Sequence, residues 1–228
     1  MKQLLFLLAL VCTSRAAHQD LSEKVFTFPL DSATSFVKLN ASAQQPITAL
    51  TVCARFHSTK TRSQTLFSLA VPSQSNAFLL YKPSVGVYRL HVHGVALDIN
   101  GLPDDTDEWN SVCWTWDSTH GLTTLWVNGK RSARSILAQG ATLTGAPIIV
   151  LGQDQDSYGG AFDRTQSFVG DITDVHLWDS VISPCEIRFF MEGNAITPGN
   201  LLNWKNLRFS TTGSVYVEKS DFDKLSCY

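Results

Sequence analysis

From Val25 onward the chain alternates apolar and polar side chains with period two, and turn residues recur about every eight to twelve positions, the pattern of a β-sandwich or barrel. Leu50, Val52, Ala54 and Phe56 face one way, with Thr51, Cys53, Arg55 and His57 opposite. Thr65–Ala70 and Ala77–Tyr81 read as buried strands joined by a polar turn over 71–76. Tyr88, Leu90 and Val92 alternate with Arg89, His91 and His93, which puts the two histidines at i and i+2 on the polar face of one strand. That spacing suits zinc, but no third ligand is in sight, so plain exposed histidines are expected.

Val112, Trp114 and Trp116 share one side of a strand, with Cys113 and Thr115 on the other. Such alternation predicts core tryptophans rather than a sugar-stacking platform. Leu122–Val127 runs into Asn128-Gly129, a strong hairpin signal. Phe168–Trp178 is a further strand, and Leu201–Trp204 and Val215–Val217 look strand-like. One helix interrupts the pattern: Ser183 is its N-cap, Pro184 stands at N1 and Glu186 at N3, Ile187, Phe190 and Met191 form its apolar stripe, and Gly193-Asn194 ends it. The expected fold is all-β, a two-sheet sandwich with this helix on one face.

Residues 1–17 place Lys2 before an apolar run from Leu4 to Cys12 and end in small residues, as in a cleaved secretory signal. The expected mature domain is 18–228, exported and soluble. Its charge is about −4, from 16 Lys and Arg against 20 Asp and Glu once Lys2 and Arg15 leave, which favours no nucleic-acid partner. Cys53, Cys113, Cys185 and Cys227 remain and allow three pairings. Pairing within the first two and within the last two is preferred, with an intersubunit bond through Cys227 as an alternative. Asn40-Ala-Ser42 is a sequon for N-glycosylation.

The stretch from Gly152 to Gln166 crowds Asp154, Asp156 and Asp163 together with Gln153, Gln155 and Gln166 around a Gly159-Gly160 pair. Calcium takes six to eight oxygen ligands in loose geometry and accepts amide and backbone carbonyls beside carboxylates, so the stretch reads as a calcium loop. It is not an EF-hand: Tyr158 stands at position five, Thr165 at position twelve, and a strand-like run precedes it.

Cys113–Ser118, Trp126–Lys130, Leu151–Gly160, Gly170-Asp-Ile and the Trp178-Asp and Ser183-Pro pairs together resemble the pentraxins, in particular the secreted short members of that family. Phe28-Pro29, Ser35–Val37 and Leu202–Trp204 extend the likeness over the whole mature chain. The resemblance implies a flattened jelly roll with one long helix, a Cys53–Cys113 disulfide, and a ring usually of five subunits. It also implies ligand binding through paired Ca²⁺ on one ring face, and complement or Fc-receptor contacts on the other. Position by position, the calcium ligands are expected to be Asn76, Asp154, the Gln155 backbone carbonyl, Asp156, Asp163 and Gln166.

This chain departs from the family pattern in several places. Ser75 stands where an Asp precedes Asn76, Asp replaces the common Glu at 154 and 163, and Ser111 replaces the usual His before the second cysteine. In the family's phosphocholine pocket the apolar position becomes Tyr81, the threonine His91 and the choline-facing Glu Ala96. The expected ligand is therefore a phosphate-bearing or acidic glycan or phospholipid headgroup, held through a first calcium site weakened by Ser75. Two other readings remain: a laminin-G-like adhesive module, and a glycan-active enzyme. The enzyme lacks a second carboxylate strand facing Asp154 and Asp156.

Overall fold

The computed structural model describes residues 17–41 and 46–220. Among the described residues fifteen strands run in chain order as β1 Lys24–Phe28, β2 Phe36–Leu39, β3 Ala49–His57, β4 Gln64–Val71, β5 Gln74–Ser84, β6 Val87–Val92, β7 Val95–Asn100, β8 Trp109–Asp117, β9 Leu122–Val127, β10 Lys130–Arg131, β11 Ser135–Ile136, β12 Ile148–Leu151, β13 Gly170–Trp178, β14 Phe209–Thr212 and β15 Tyr216–Lys219. They form two antiparallel sheets. The first follows the order β10-β9-β8-β3-β13-β1-β15, with β11 also on β9, and the second follows β14-β2-β12-β4-β5-β6-β7. This is the expected all-β, two-sheet jelly roll.

The alternation read from the sequence fills the space between the sheets. Phe26, Phe28, Leu50, Val52, Phe56, Phe67, Phe78, Trp114 and Trp116 are buried in one cluster. Phe78 of the second sheet stacks on Trp114 of the first with ring centroids 3.6 Å apart. Both tryptophans satisfy their indole N–H, Trp114 on the Thr123 hydroxyl at 2.6 Å and Trp116 on the Leu137 carbonyl at 2.9 Å. Burial of side chains this size contributes about 1.5–3 kcal/mol each.

Cys53 and Cys113 are direct partners across β3 and β8, and they form the disulfide. The bond lies on the outer face of the first sheet, packed with Trp178, Ile182, Ile187 and Phe190 beneath the helix, away from the tryptophans of the intersheet core. The helix Pro184–Met191 carries the expected capping box: the Ser183 hydroxyl accepts the Glu186 N–H, and the Glu186 carboxylate accepts the Ser183 N–H. It is only eight residues long rather than the long helix the resemblance implies. Gly193, at φ +75°, turns the chain away after it.

Ser111 lies opposite Arg55 in the β3–β8 register. Its hydroxyl accepts from the Arg55 guanidinium, which also reaches the Phe190 carbonyl and, at 3.1 Å, the Asp174 carboxylate. A small residue at 111 thus makes room for a buried guanidinium that ties sheet to helix.

Three expectations about local structure are corrected. The turn between β4 and β5 is only Pro72-Ser73, so Ser75 and Asn76 belong to β5. His93, at φ +50°, has left β6 for the turn to β7, so it does not share a strand face with His91. Leu202 makes only an isolated bridge to Leu177, and Trp204–Asn206 is a turn of 3-10 helix because Asn203 caps it at the Lys205 N–H. Residues 1–16, Ser42 and Cys227 lie outside the described residues, and with them fall the secretory signal, half of the sequon and the Cys185–Cys227 pairing. Asn40 and Cys185 are both exposed.

Candidate calcium site

The loop after β12 is built by side chains that hold its backbone in place. At its start Gly152 adopts φ +86°, and a Cβ there would stand 2.4 Å from the Phe28 ring, so only glycine fits. The Phe168 N–H returns to the Gly152 carbonyl at 3.0 Å and closes the base. Gln153 and Gln155 are buried and point their amide groups away from solvent. Gln153 donates to the Ser32 and Ser35 carbonyls at 2.6 and 2.9 Å. Gln155 donates to the Ser68 carbonyl, the Ser68 hydroxyl and the Ile148 carbonyl, and its amide oxygen accepts the Gly159 N–H at 3.1 Å.

The Gln155 side chain is thereby used up, and what it offers a cation is its main-chain carbonyl. The loop tip turns through the Ser157–Gly160 bridge, and Tyr158 donates to the Ala146 carbonyl at 2.7 Å. Asp163 caps the 3-10 turn Arg164–Gln166 by accepting the Thr165 N–H at 2.8 Å. Ser63 and Arg62 hold that turn from outside through the Thr165 and Ser167 carbonyls.

Buried acceptors without donors mark the site. Among the described residues six buried side-chain polar atoms lack a partner, and four of them are oxygens on Asn76, Gln153, Asp154 and Gln166. An unpaired buried acceptor costs about 1–3 kcal/mol, so each of these oxygens calls for a partner. A hard cation is one partner that satisfies oxygens alone. Gln153 was grouped with the loop oxygens in the sequence but was not among the expected ligands. Among the described residues no three His, Cys, Asp or Glu side chains converge as a metal-binding group on their own. A cation bound by this loop would have to draw on amide and main-chain oxygens as much as on carboxylates.

The three carboxylates of the loop differ in their electrostatics. Burial, reinforced by the Asp156 carboxylate, pushes Asp154 up to about 7. Burial and then Asp163 raise Asp156 as well. Asp163 goes the other way, because the Thr165 N–H stabilises its charged form.

Next to this loop, on the outer face of the second sheet, Ser68, Leu79, His91 and Ala96 stand in one cross-strand row. Tyr81, Arg89 and Asp98 form the row beside it. Gln155 rests on the Ser68 end, so His91 lies two strands away, about 10 Å. His91 is half-buried with an unpartnered Nδ1, and burial followed by the nearby Arg89 lowers its pKa. Arg89 and Asp98 pair through two hydrogen bonds of 2.6 and 2.8 Å.

Comparison with known proteins agrees with this architecture. The Pentaxin family model matches residues 24–219. The serum amyloid P-component of Rattus norvegicus is 40% identical over 210 residues, 92% of this chain and 91% of that protein. The C-reactive protein of Sus scrofa is 41% identical over 215 residues, 94% of this chain and 96% of that protein. The native heptameric SAP-like pentraxin of Limulus polyphemus superposes with a TM-score of 0.77 at 23% identity, covering 88% of this chain and 97% of its own. The chain belongs to the pentaxin family.

Proposed function

We propose that this protein is a secreted, calcium-dependent recognition protein of innate defence. It binds repeated phosphate-bearing or acidic glycan or phospholipid headgroups on microbial or damaged-cell surfaces and catalyses no reaction. The observation that supports the reading is that three of the expected ligands, Asn76, Asp154 and Gln166, each carry a buried oxygen without a partner. Ca²⁺ would be held by Asn76, Asp154, the Gln155 carbonyl, Asp156, Asp163 and Gln166. Two ions against three carboxylates would leave a net positive centre, to which an anionic ligand group adds the missing oxygens. The site does not donate a proton or a nucleophile; it presents charge.

Tyr81 and His91 would flank the bound headgroup. His91 offers a ring nitrogen to a phosphate or sugar oxygen, and Tyr81 a face and a hydroxyl. A choline ammonium asks for a carboxylate or an aromatic cage, and here Ala96 stands where the family's Glu is expected, while Asp98 is already paired with Arg89. Phosphocholine is therefore a weak ligand in this reading. Such sites act through multivalency, and the heptameric similar structure supports a homo-oligomeric ring whose weak sites add. Complement components or Fc receptors are the partners proposed for the opposite, helix-bearing face, and Asn40 is the proposed glycan attachment point.

A glycan and phospholipid array probed with and without Ca²⁺ tests the reading. Binding confined to acidic and phosphate-bearing spots, and lost on chelation, is expected; calcium-independent binding or preferential capture by phosphocholine would overturn it. A laminin-G-like monomeric module would show itself by native mass.

A further inference from the structure

A small polar cavity opens beside the sequon. Asn40 is the first residue after β2, its backbone N–H bonded to the Arg208 carbonyl at 2.9 Å and its side chain exposed. The carboxamide of Asn40 forms no hydrogen bond among the described residues. With His18, Leu202, Asn203, Asn206, Leu207 and Arg208 it lines a cavity of about 250 Å³. Two segments far apart in the chain clamp each other to frame this space. The Gln19 N–H donates to the Leu207 carbonyl at 2.8 Å, the Leu207 N–H to the Gln19 carbonyl at 2.9 Å, and His18 donates from Nδ1 to the Asn206 carbonyl at 3.0 Å.

Leu202 and Leu207 are buried and give the cavity an apolar floor. Its walls carry donors that nothing uses. The Asn203 side-chain oxygen accepts the Lys205 N–H at 3.0 Å, but its NH2 group, the Asn206 carboxamide and the Arg208 guanidinium make no hydrogen bond or ion pair among the described residues. Asn200, by contrast, is engaged on both sides: it donates to the Asp179 carboxylate at 2.7 Å and accepts the Asp179 N–H at 3.2 Å. No carboxylate lines the cavity among the described residues. An apolar floor ringed by amide and guanidinium donors suits a sugar ring, whose C–H face covers leucine while its hydroxyl and acetamido oxygens accept from asparagine and arginine. No aromatic side chain lines the cavity among the described residues, so a free sugar would be held weakly. A sugar tethered to Asn40 is different, because the covalent bond keeps its effective concentration high.

We propose that this cavity seats the first N-acetylglucosamine of a glycan on Asn40, and that the seated sugar ties the segments 18–21 and 199–208 to the end of β2. This rests on the attachment point proposed above. Attachment joins Asn40 Nδ2 to C1 of the sugar and releases the polyprenyl diphosphate of the oligosaccharide donor, which carries off the amide proton. The glycan is then a part of the fold rather than a surface coat.

The intact secreted protein, expressed with high-mannose glycans, tests this in three forms: fully glycosylated, trimmed by endoglycosidase to a single N-acetylglucosamine, and Ser42→Ala, which removes the sequon and leaves Asn40 in place. Intact mass reports occupancy, and hydrogen exchange reports the cavity walls. Backbone amides of 199–208 should exchange at least tenfold more slowly in both sugar-bearing forms than in Ser42→Ala. Arg208→Ala on the glycosylated protein should remove most of that protection, yet change little in the Ser42→Ala background. Trimming acts on protein that has already folded, so its result is free of folding artefacts. Protein secreted without a sugar on Asn40 would overturn both the attachment point and its seat. Equal exchange in all three forms, or protection lost when a single sugar remains, would overturn the seat alone.

Discussion

Gln155 and Ser68 are bound to each other three times: the Gln155 carboxamide donates to the Ser68 carbonyl at 3.1 Å and to its hydroxyl at 3.2 Å, and the Gln155 backbone N–H donates to the same hydroxyl at 3.3 Å. Ser68 stands on β4 and touches no proposed ion, yet it sets the direction in which the Gln155 carbonyl points. Ser68→Ala should therefore weaken calcium binding without removing a ligand. The lost hydroxyl bonds correspond to about 1–3 kcal/mol, or about a 5- to 150-fold loss of affinity if the loop bears most of it. Calorimetric titration of the variant with CaCl₂ checks this, and an unchanged affinity would show that the loop holds its shape alone.

Calcium binding should depend on pH around neutrality. Asp154 without a cation titrates at about 7, because burial and Asp156 disfavour its charged form. Its folded value lies above the unfolded one. It therefore contributes stability to the cation-free protein that is fully present below about 4 and lost as pH rises through about 7. Calcium requires the charged form, so binding must release a proton below pH 7. Apparent affinity should fall by up to about tenfold per pH unit from 7 to 5 through this group alone. Proton release measured in buffers of different ionisation enthalpy checks it. Asp154→Asn should raise the melting temperature of the cation-free protein at pH 8 and lower its calcium affinity.

Ser75→Asp should strengthen the ion bound at Asn76. The substitution adds a carboxylate beside an amide oxygen that is buried without a partner, and calcium affinity rises with the number of charged ligands. A gain of about tenfold, or ~1.4 kcal/mol, is expected in the weaker of two calorimetric binding steps. No gain would mean that residue 75 points away from the ion.

Gly152→Ala should disrupt the loop through its base. The new methyl would meet the Phe28 ring at 2.4 Å, and φ +86° is strained for any residue with a side chain. A cost of about 2–4 kcal/mol is expected, which corresponds to a melting temperature lower by roughly 4–16 °C for a chain this size. Thermal unfolding followed by tryptophan fluorescence measures it.

The oxygen-rich loop was legible in the sequence because its donors are local: Asp154, Asp156, Asp163 and Gln166 fall within one stretch, and their chemistry needs no partner to be recognised. The sandwich was legible for a similar reason, since period-two alternation at Leu50–His57 and Val112–Trp116 reports burial directly. What it did not reveal depends on contacts between distant segments. The disulfide sits under the helix because β3 and β8 turn their cysteines outward, away from Trp114 and Trp116. Ser68 as the anchor of Gln155, and Phe28 as the reason for Gly152, join positions 87 and 124 residues apart, and no local pattern marks such pairs. His93 and Leu201–Trp204 misled because a residue pattern of the right period says nothing of a neighbouring turn or cap.

Direct titration of the purified protein with Ca²⁺ by isothermal calorimetry at pH 7.5, repeated on an Asp154→Asn/Asp156→Asn variant, bears most heavily on the site. Saturable uptake of one or two ions per subunit in the wild type, lost in a variant that keeps its native circular dichroism, is the expected result. No uptake by the wild type at millimolar Ca²⁺, or equal uptake by both proteins, would contradict it.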